Sequence, residues 1–153
     1  MEDDGGNVNE LKFGADFDSS MMENQSLVFL TNQEVAVILD RIKTDREKNN
    51  RNPPTMMLDT LDYVKRNCGV NSINKVEKFT ESLRNRLKDM EDESQGEPRA
   101  LHPFEIAALA NLMQADSEQI EAMEVIPSLR RFDTAFVDQI LDVCKQEMEE
   151  LMI

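Results

Sequence analysis

Residues 103–113 read PFEIAALANLM and carry only two clearly polar side chains, Glu105 and Asn111. The apolar residues fall on two neighbouring faces of a helix, with Ile106, Leu109, Ala110 and Met113 on one face and Phe104, Ala108 and Leu112 on the other. A helix that is apolar nearly all round is typical of a protein core. Pro103 suits its first turn, where the missing N–H costs nothing. The stretch therefore predicts a buried central helix around which other helices pack.

Two further helices are predicted after this stretch. Asp116 is a suitable N-cap for the first, and Pro127 requires that helix to end near Val125. Asp133 is a suitable N-cap for the second. Its apolar residues keep helical spacing to the end of the chain: Val137, Ile140, Leu141, Cys144, Met148 and Leu151. Residues 101–153 are therefore predicted to form a compact helical module.

A second helical part is predicted over residues 31–88. It opens with a capping box formed by Thr31 and Glu34, with Leu30 and Val35 as the accompanying hydrophobic staple. The helix that follows carries an apolar stripe, namely Val35, Ile38, Leu39 and Ile42. Two more helices are predicted, one over residues 55–66 and one that begins near Ser72. With the module above, the prediction is an all-α chain that works as one functional domain.

Residues 89–100 separate the two helical parts and have no apolar periodicity. Their acidic, Gly- and Pro-containing sequence predicts a flexible loop that buries almost nothing. A calcium-binding loop is excluded, because Ser94 stands where the glycine is required and Ala100 stands where a bidentate Glu is required.

The chain before the first helix divides into two segments. Residues 1–10 are acidic and predicted to be disordered. Leu11, Phe13 and Phe17 alternate with polar residues, which predicts a strand within an extended arm over residues 11–30. No second strand of similar quality follows, and one short strand is not stable alone. The strand either adds to the sheet of a partner protein or packs as an arm over the chain's own helices, and its pattern favours neither.

The composition narrows the range of functions. The formal net charge of −14 argues against phosphate binding by this chain alone. No nucleotide-binding, hydrolase or paired-cysteine motif occurs, and the one histidine, His102, is expected to cap or pack rather than to act as a base. Cys68 and Cys144 are expected to be core residues. We therefore expect a non-enzymatic intracellular protein with no cofactor, no metal and no membrane segment.

The order LHPFEIAALANL, a short capped helix, IPSLRRF and an acidic last helix resembles the fourth-largest subunit of eukaryotic RNA polymerase II. The matching residues are Leu101, His102, Phe104, Glu105, Leu109, Ala110, Asn111, Leu112, Ile126, Pro127, Ser128 and Leu129. Two features depart from the family: Pro103 replaces a basic residue, and the loop over residues 89–100 replaces a tight connection. The resemblance covers about a third of the chain specifically and the rest more loosely.

The resemblance implies a bundle like the helicase-and-RNase-D C-terminal (HRDC) domain, in a family that includes the stalk subunits of RNA polymerase III and of the archaeal polymerase. It implies a nuclear, non-catalytic subunit of DNA-directed RNA polymerase II that serves initiation and nascent-RNA handling. The implied partners are the polymerase core and the seventh-largest subunit, whose oligonucleotide-binding barrel would meet RNA. We assign the heterodimer contact to the predicted strand and first helix, namely Leu11, Phe13, Phe17, Leu30, Val35 and Leu39.

Two alternatives remain open. The chain can be the stalk subunit of RNA polymerase III, although the LHxFE and IPSL wording favours polymerase II. It can also be a free-standing HRDC-like module that binds nucleic acid or regulatory proteins, although the acidic charge and the strand without a partner count against this.

Overall fold

The computed structural model describes residues 29–67, 73–112 and 119–152. These residues form six α-helices, one 3-10 helix and a two-stranded sheet. In chain order the elements are α1 (Asn32–Lys48), α2 (Thr55–Arg66), α3 (Ile73–Lys88), β1 (Glu91–Asp92), β2 (Arg99–Ala100), α4 (Pro103–Leu112), α5 (Gln119–Val125), the 3-10 helix (Pro127–Arg131) and α6 (Thr134–Met152). The predicted all-α class is confirmed.

The main core lies between α3, α4, the 3-10 helix and α6. Leu109 of α4 has no exposed surface, and Ile106 and Ala110 are buried beside it, so the predicted central helix is confirmed. The other large residues of this core come from the surrounding elements: Phe79, Leu83, Leu87, Ile126, Leu129, Phe132, Phe136, Val137, Ile140, Leu141 and Cys144. Phe104 and Leu112 lie at its margin, partly buried. Cys144 has no exposed surface and is a core residue as expected, and this burial raises the pKa of its thiol to about 12.

Helices α1 and α2 pack against each other around a smaller apolar cluster of Ala36, Leu61 and Val64. The capping box predicted for α1 is present. Thr31 Oγ1 accepts from the Glu34 N–H at 3.2 Å, and the Glu34 carboxylate accepts from the Thr31 N–H at 2.8 Å. The helix ends at the asparagine pair after Lys48, where Asn50 adopts a left-handed conformation (φ 55°) that asparagine tolerates.

The segment predicted to be an unstructured loop contains regular structure, which corrects that expectation. Strands β1 and β2 pair antiparallel, with Glu91 opposite Ala100 and Asp92 opposite Arg99. Asp92 is only 3% exposed. Its pKa is lowered to about 2, because it accepts hydrogen bonds from the Ser94 side chain first and then from the Asp133 and Ser94 backbone N–H groups. Alternating apolar residues do not mark this hairpin, because its buried residue is a carboxylate.

The C-terminal end of α5 and the N-terminal end of α6 also lie where the sequence predicts them. Helix α5 ends at Val125, two residues before Pro127, and α6 begins directly after Asp133. The acidic tail over residues 1–10, the strand over residues 11–17, the cap at Asp116, and Met113 and Cys68 lie outside the described residues.

Candidate functional site: a buried motif junction and an exposed helix face

The carboxylate of Glu105 is the most unusual group in the main core, because it has no exposed surface although it is charged and lies on a mostly apolar helix. Glu105 lies in the first turn of α4, three residues after His102 at the N-cap position. From there its Oε1 accepts the His102 backbone N–H at 2.8 Å. This is the half of a capping box in which the third helical side chain satisfies the N-cap amide. The helix therefore begins at this point because Glu105 closes its first turn.

Arg131, at the end of the 3-10 helix, neutralises this carboxylate. Its Nη1 donates to Glu105 Oε2 at 2.6 Å and its Nη2 donates to Oε1 at 2.5 Å, a bidentate ion pair. The Ser128 hydroxyl donates to Oε2 at 2.8 Å. Arg131 also donates to the carbonyl oxygens of Ser128 (2.8 Å) and Ala100 (3.2 Å). The two family segments LHPFE and IPSLRR thus meet at one buried junction.

An aromatic contact extends this junction toward α6. The Arg131 guanidinium lies 4.0 Å from the centre of the Phe132 ring, and the Arg99 guanidinium lies 5.9 Å from it. Phe132 in turn packs on Phe136, with ring centres 5.1 Å apart. A cation held over an aromatic face adds electrostatic attraction to the packing. The Glu105–Arg131 pair therefore orients the start of α6 as well as the start of α4.

His102 packs at the rim of the junction. Its ring lies 5.1 Å from the Phe104 ring and 5.8 Å from the Phe29 ring, and its Nδ1 accepts the Phe104 N–H at 3.3 Å. Burial lowers the pKa of His102, with Glu105 acting in the opposite direction and Arg131 in the same direction. A neutral imidazole that accepts a backbone hydrogen bond fits the predicted capping and packing role.

Two further polar links connect the start of α1 to helices of the main core. Asn111 Oδ1 of α4 accepts the Asn32 backbone N–H at 2.8 Å, in the first turn of α1. Arg84 of α3 donates to both carboxylate oxygens of Glu34, at 2.5 and 2.8 Å, and to the Phe29 carbonyl oxygen at 2.8 Å. The polar motif residues of α4 are therefore structural: each satisfies or neutralises a buried group between elements.

The face assigned to the partner from the sequence is only partly open. Leu30 is 46% exposed, as a contact residue must be. Val35 and Leu39 are partly buried against the small cluster between α1 and α2. Ile38 and Ile42 lie one turn apart on α1 and are each 41% exposed. Leu11, Phe13 and Phe17 lie outside the described residues. The exposed apolar residues of this region are therefore Leu30, which directly precedes α1, and Ile38 and Ile42 on α1.

Sequence reasoning missed Ile38 and Ile42 as surface residues, because both belong to an apolar stripe whose spacing predicts packing. It also missed Arg131 as the partner of Glu105. The signal for that pairing was a single carboxylate on an apolar helix, since a buried charge requires a partner of opposite charge. Of the residues assigned to the motif and core, Leu101, Leu109, Ile126 and Leu129 are buried.

No group of ligating side chains that is suited to a metal ion occurs within residues 29–67, 73–112 and 119–152. In the same part of the chain, no helix combines the length and apolar character needed to cross a membrane.

Comparison with known protein families gives a match to the model of "RNA polymerase Rpb4" over residues 29–148. This range covers more than half of the chain. The protein belongs to the RNA polymerase Rpb4 family. No curated protein matches the chain significantly.

Membership of the Rpb4 family indicates a non-catalytic stalk subunit of an RNA polymerase that associates with the polymerase core. The match includes the whole junction of Glu105, Ser128 and Arg131, together with α1 and its exposed residues. It also includes the hairpin of β1 and β2. The loop over residues 89–100, which departs from the tight connection expected of the family, therefore lies within the matched range.

Proposed function

We propose that this Rpb4-family chain is the fourth-largest subunit of RNA polymerase II and works in the nucleus. In this proposal it forms the stalk heterodimer with the seventh-largest subunit and supports initiation and nascent-RNA handling. Two segments meet at Glu105 and Arg131, namely LHPFE and IPSLRR. Their amino-acid sequences favour polymerase II over polymerase III. The partner's oligonucleotide-binding barrel, rather than this acidic chain, contacts RNA.

The observation that carries the partner assignment is the exposed face of α1. Ile38 and Ile42 are exposed to solvent on a helix whose other exposed positions are mostly charged. Apolar residues that recur one turn apart on a surface helix are suited to a groove on another protein. The strand predicted at residues 11–17 precedes this helix, so strand and helix together supply a continuous contact.

A co-expression experiment tests the proposal. The tagged full chain is expressed with the seventh-largest subunit of polymerase II or, separately, with its polymerase III counterpart, and the retained partner is measured. We expect stable retention of the polymerase II subunit. Preferential retention of the polymerase III subunit would assign the chain to that enzyme. Retention of neither would favour a free-standing HRDC-like module.

Variants locate the contact. Ile38→Asp with Ile42→Asp should weaken the heterodimer strongly, because two charges would be buried without partners. Thr44→Asp with Lys48→Gln is the control, since it changes the net charge by the same −2 at exposed residues with the same spacing on another face of α1. Phe13→Asp with Phe17→Asp tests the predicted strand in the same assay. Equal binding by the isoleucine pair and its control would exclude the α1 face.

A further inference from the structure

The tip of the β1–β2 hairpin presents a serine to solvent. Residues 93–98 connect the two strands, and all of them are exposed. Gly96 turns the chain with a left-handed conformation (φ 100°) that favours glycine, and no atom lies within 4 Å of the position a Cβ would take. Ser94 therefore stands in an open turn, which is the kind of segment that modifying enzymes reach.

The same serine is connected to the start of α6. The Ser94 N–H donates to Asp92 Oδ1 at 3.0 Å, and the Ser94 hydroxyl also donates to this carboxylate. Asp92 Oδ2 accepts the Asp133 N–H at 2.9 Å and contacts Arg99 Nη2 at 3.4 Å. One buried carboxylate thus holds an exposed hydroxyl on one side and the residue that caps α6 on the other.

The residues around Ser94 are strongly acidic. Glu91, Asp92 and Glu93 precede it, and Glu97 follows three positions later, with no Lys or Arg before Arg99. A kinase that recognises acidic residues through basic side chains requires this arrangement. Thr44 also has a glutamate three positions later, but it lies within α1 and its hydroxyl donates to the Asp40 carbonyl oxygen at 2.9 Å. It therefore serves as an internal comparison.

We propose that Ser94 is the acceptor site of an acid-directed serine/threonine protein kinase, and that its phosphorylation loosens the contact between Asp92 and Asp133. In the reaction, Ser94 Oγ forms a bond to the γ-phosphorus of a nucleoside triphosphate. The bond to the bridging oxygen breaks, the nucleoside diphosphate leaves, and the hydroxyl proton passes to the kinase. This modification goes beyond the proposed role in the polymerase.

The consequence follows from charge. Phosphorylation removes the hydroxyl that donates to Asp92 and places a group of about −1.5 to −2 charge beside that carboxylate. Like-charge repulsion then opposes the position in which Asp92 accepts the Asp133 N–H. The start of α6 loses a hydrogen-bond partner as a result.

The first test is phosphorylation of the purified full chain by a kinase of the casein kinase II type with ATP, with the site mapped by mass spectrometry. We expect phosphate on Ser94 and none on Thr44. Ser94→Ala should remove it, and Glu97→Gln should lower the initial rate about tenfold, as expected for loss of one charged contact with the kinase. Both substituted residues are exposed, so circular dichroism should match the parent. An unmodified Ser94, in a reaction where a control acidic peptide is phosphorylated, would overturn the site.

The second test is amide hydrogen exchange on the phosphorylated chain. The Asp133 amide is expected to exchange faster than in the unmodified chain, while amides in the middle of α6 keep their rates. The competing possibility is that the phosphate pairs with Arg99 and strengthens the hairpin. Unchanged or slower exchange at Asp133 would establish that outcome and overturn the proposed loosening.

Discussion

At the scale of single residues, the Glu105–Arg131 pair is asymmetric. Glu105 has no exposed surface, whereas the Arg131 side chain is 21% exposed and has two carbonyl acceptors besides the carboxylate. The loss of Arg131 and the loss of the Glu105 charge should therefore lower the free energy of unfolding by different amounts. Without Arg131, a buried charge remains unpaired; without the Glu105 charge, the arginine can still reach water and the backbone.

The first prediction follows from this asymmetry. Arg131→Met should lower the free energy of unfolding by about 3–5 kcal/mol, because it leaves a buried carboxylate uncompensated. Glu105→Gln should cost about 1–3 kcal/mol, because the amide keeps the shape and some hydrogen bonds. Urea unfolding of both variants measures the difference. A larger loss for Glu105→Gln than for Arg131→Met would contradict the account of the junction.

The second prediction concerns His102 and pH. Its pKa in the folded state lies below the ordinary value of 6.5, because burial disfavours the charged ring. As the pH falls, His102 therefore takes up a proton in the unfolded chain before it does so in the folded chain. The contribution of neutral His102 to the free energy of unfolding is thus complete above about pH 6.5 and is lost as the pH falls below this value. Unfolding free energies measured at about pH 7.5 and 5.5 should differ more for the parent than for His102→Asn, whose side chain can still cap α4. Equal differences would show that His102 does not contribute.

At the scale of elements, α4 organises the fold, but its two apolar faces are not equivalent. Leu109 has no exposed surface, whereas Leu112 is partly buried at the margin of the core. The sequence pattern placed both residues on a buried helix without distinguishing them. The structure makes the distinction, because Leu109 lies inside the buried cluster of the main core, whereas Leu112 only packs against its edge.

The third prediction uses this difference. Leu109→Ala should lower the free energy of unfolding by about 2–5 kcal/mol, since it leaves a cavity in close-packed surroundings. Leu112→Ala should cost clearly less, because less apolar surface is removed from burial. Thermal and urea unfolding of the two variants make a matched comparison. Similar, small effects from both would mean that α4 is not the core helix.

Features that depend on local sequence rules could be predicted, whereas features that depend on contacts between distant residues could not. The capping box at Thr31 and Glu34, the stop at Val125 and the burial of Leu109 follow local rules, and all three are confirmed. The β1–β2 hairpin was not predicted, because the burial of Asp92 depends on a contact with Asp133, which is 41 positions away in the sequence. The pairing of Glu105 with Arg131 was missed for the same reason. The expectation that residues 89–100 bury almost nothing was therefore wrong for Asp92.

At the scale of the whole molecule, the formal net charge of −14 disfavours binding of nucleic acid by this chain alone. The fourth prediction is that the isolated chain does not bind single-stranded RNA at physiological salt, because acidic residues outnumber basic ones and the sequence does not interleave aromatic with basic residues. Fluorescence anisotropy with a labelled oligonucleotide tests this. A salt-sensitive affinity in the micromolar range would favour the free-standing binding module over a subunit that relies on its partner.

The central claim is that this helical chain is a non-catalytic part of an RNA polymerase. The most direct measurement is purification of the tagged full chain from nuclear extract, followed by quantitative mass spectrometry. We predict recovery of the large subunits of RNA polymerase II together with the seventh-largest subunit, and loss of all of them with Ile38→Asp and Ile42→Asp. Recovery without any polymerase subunit, by a chain that remains folded, would contradict the account.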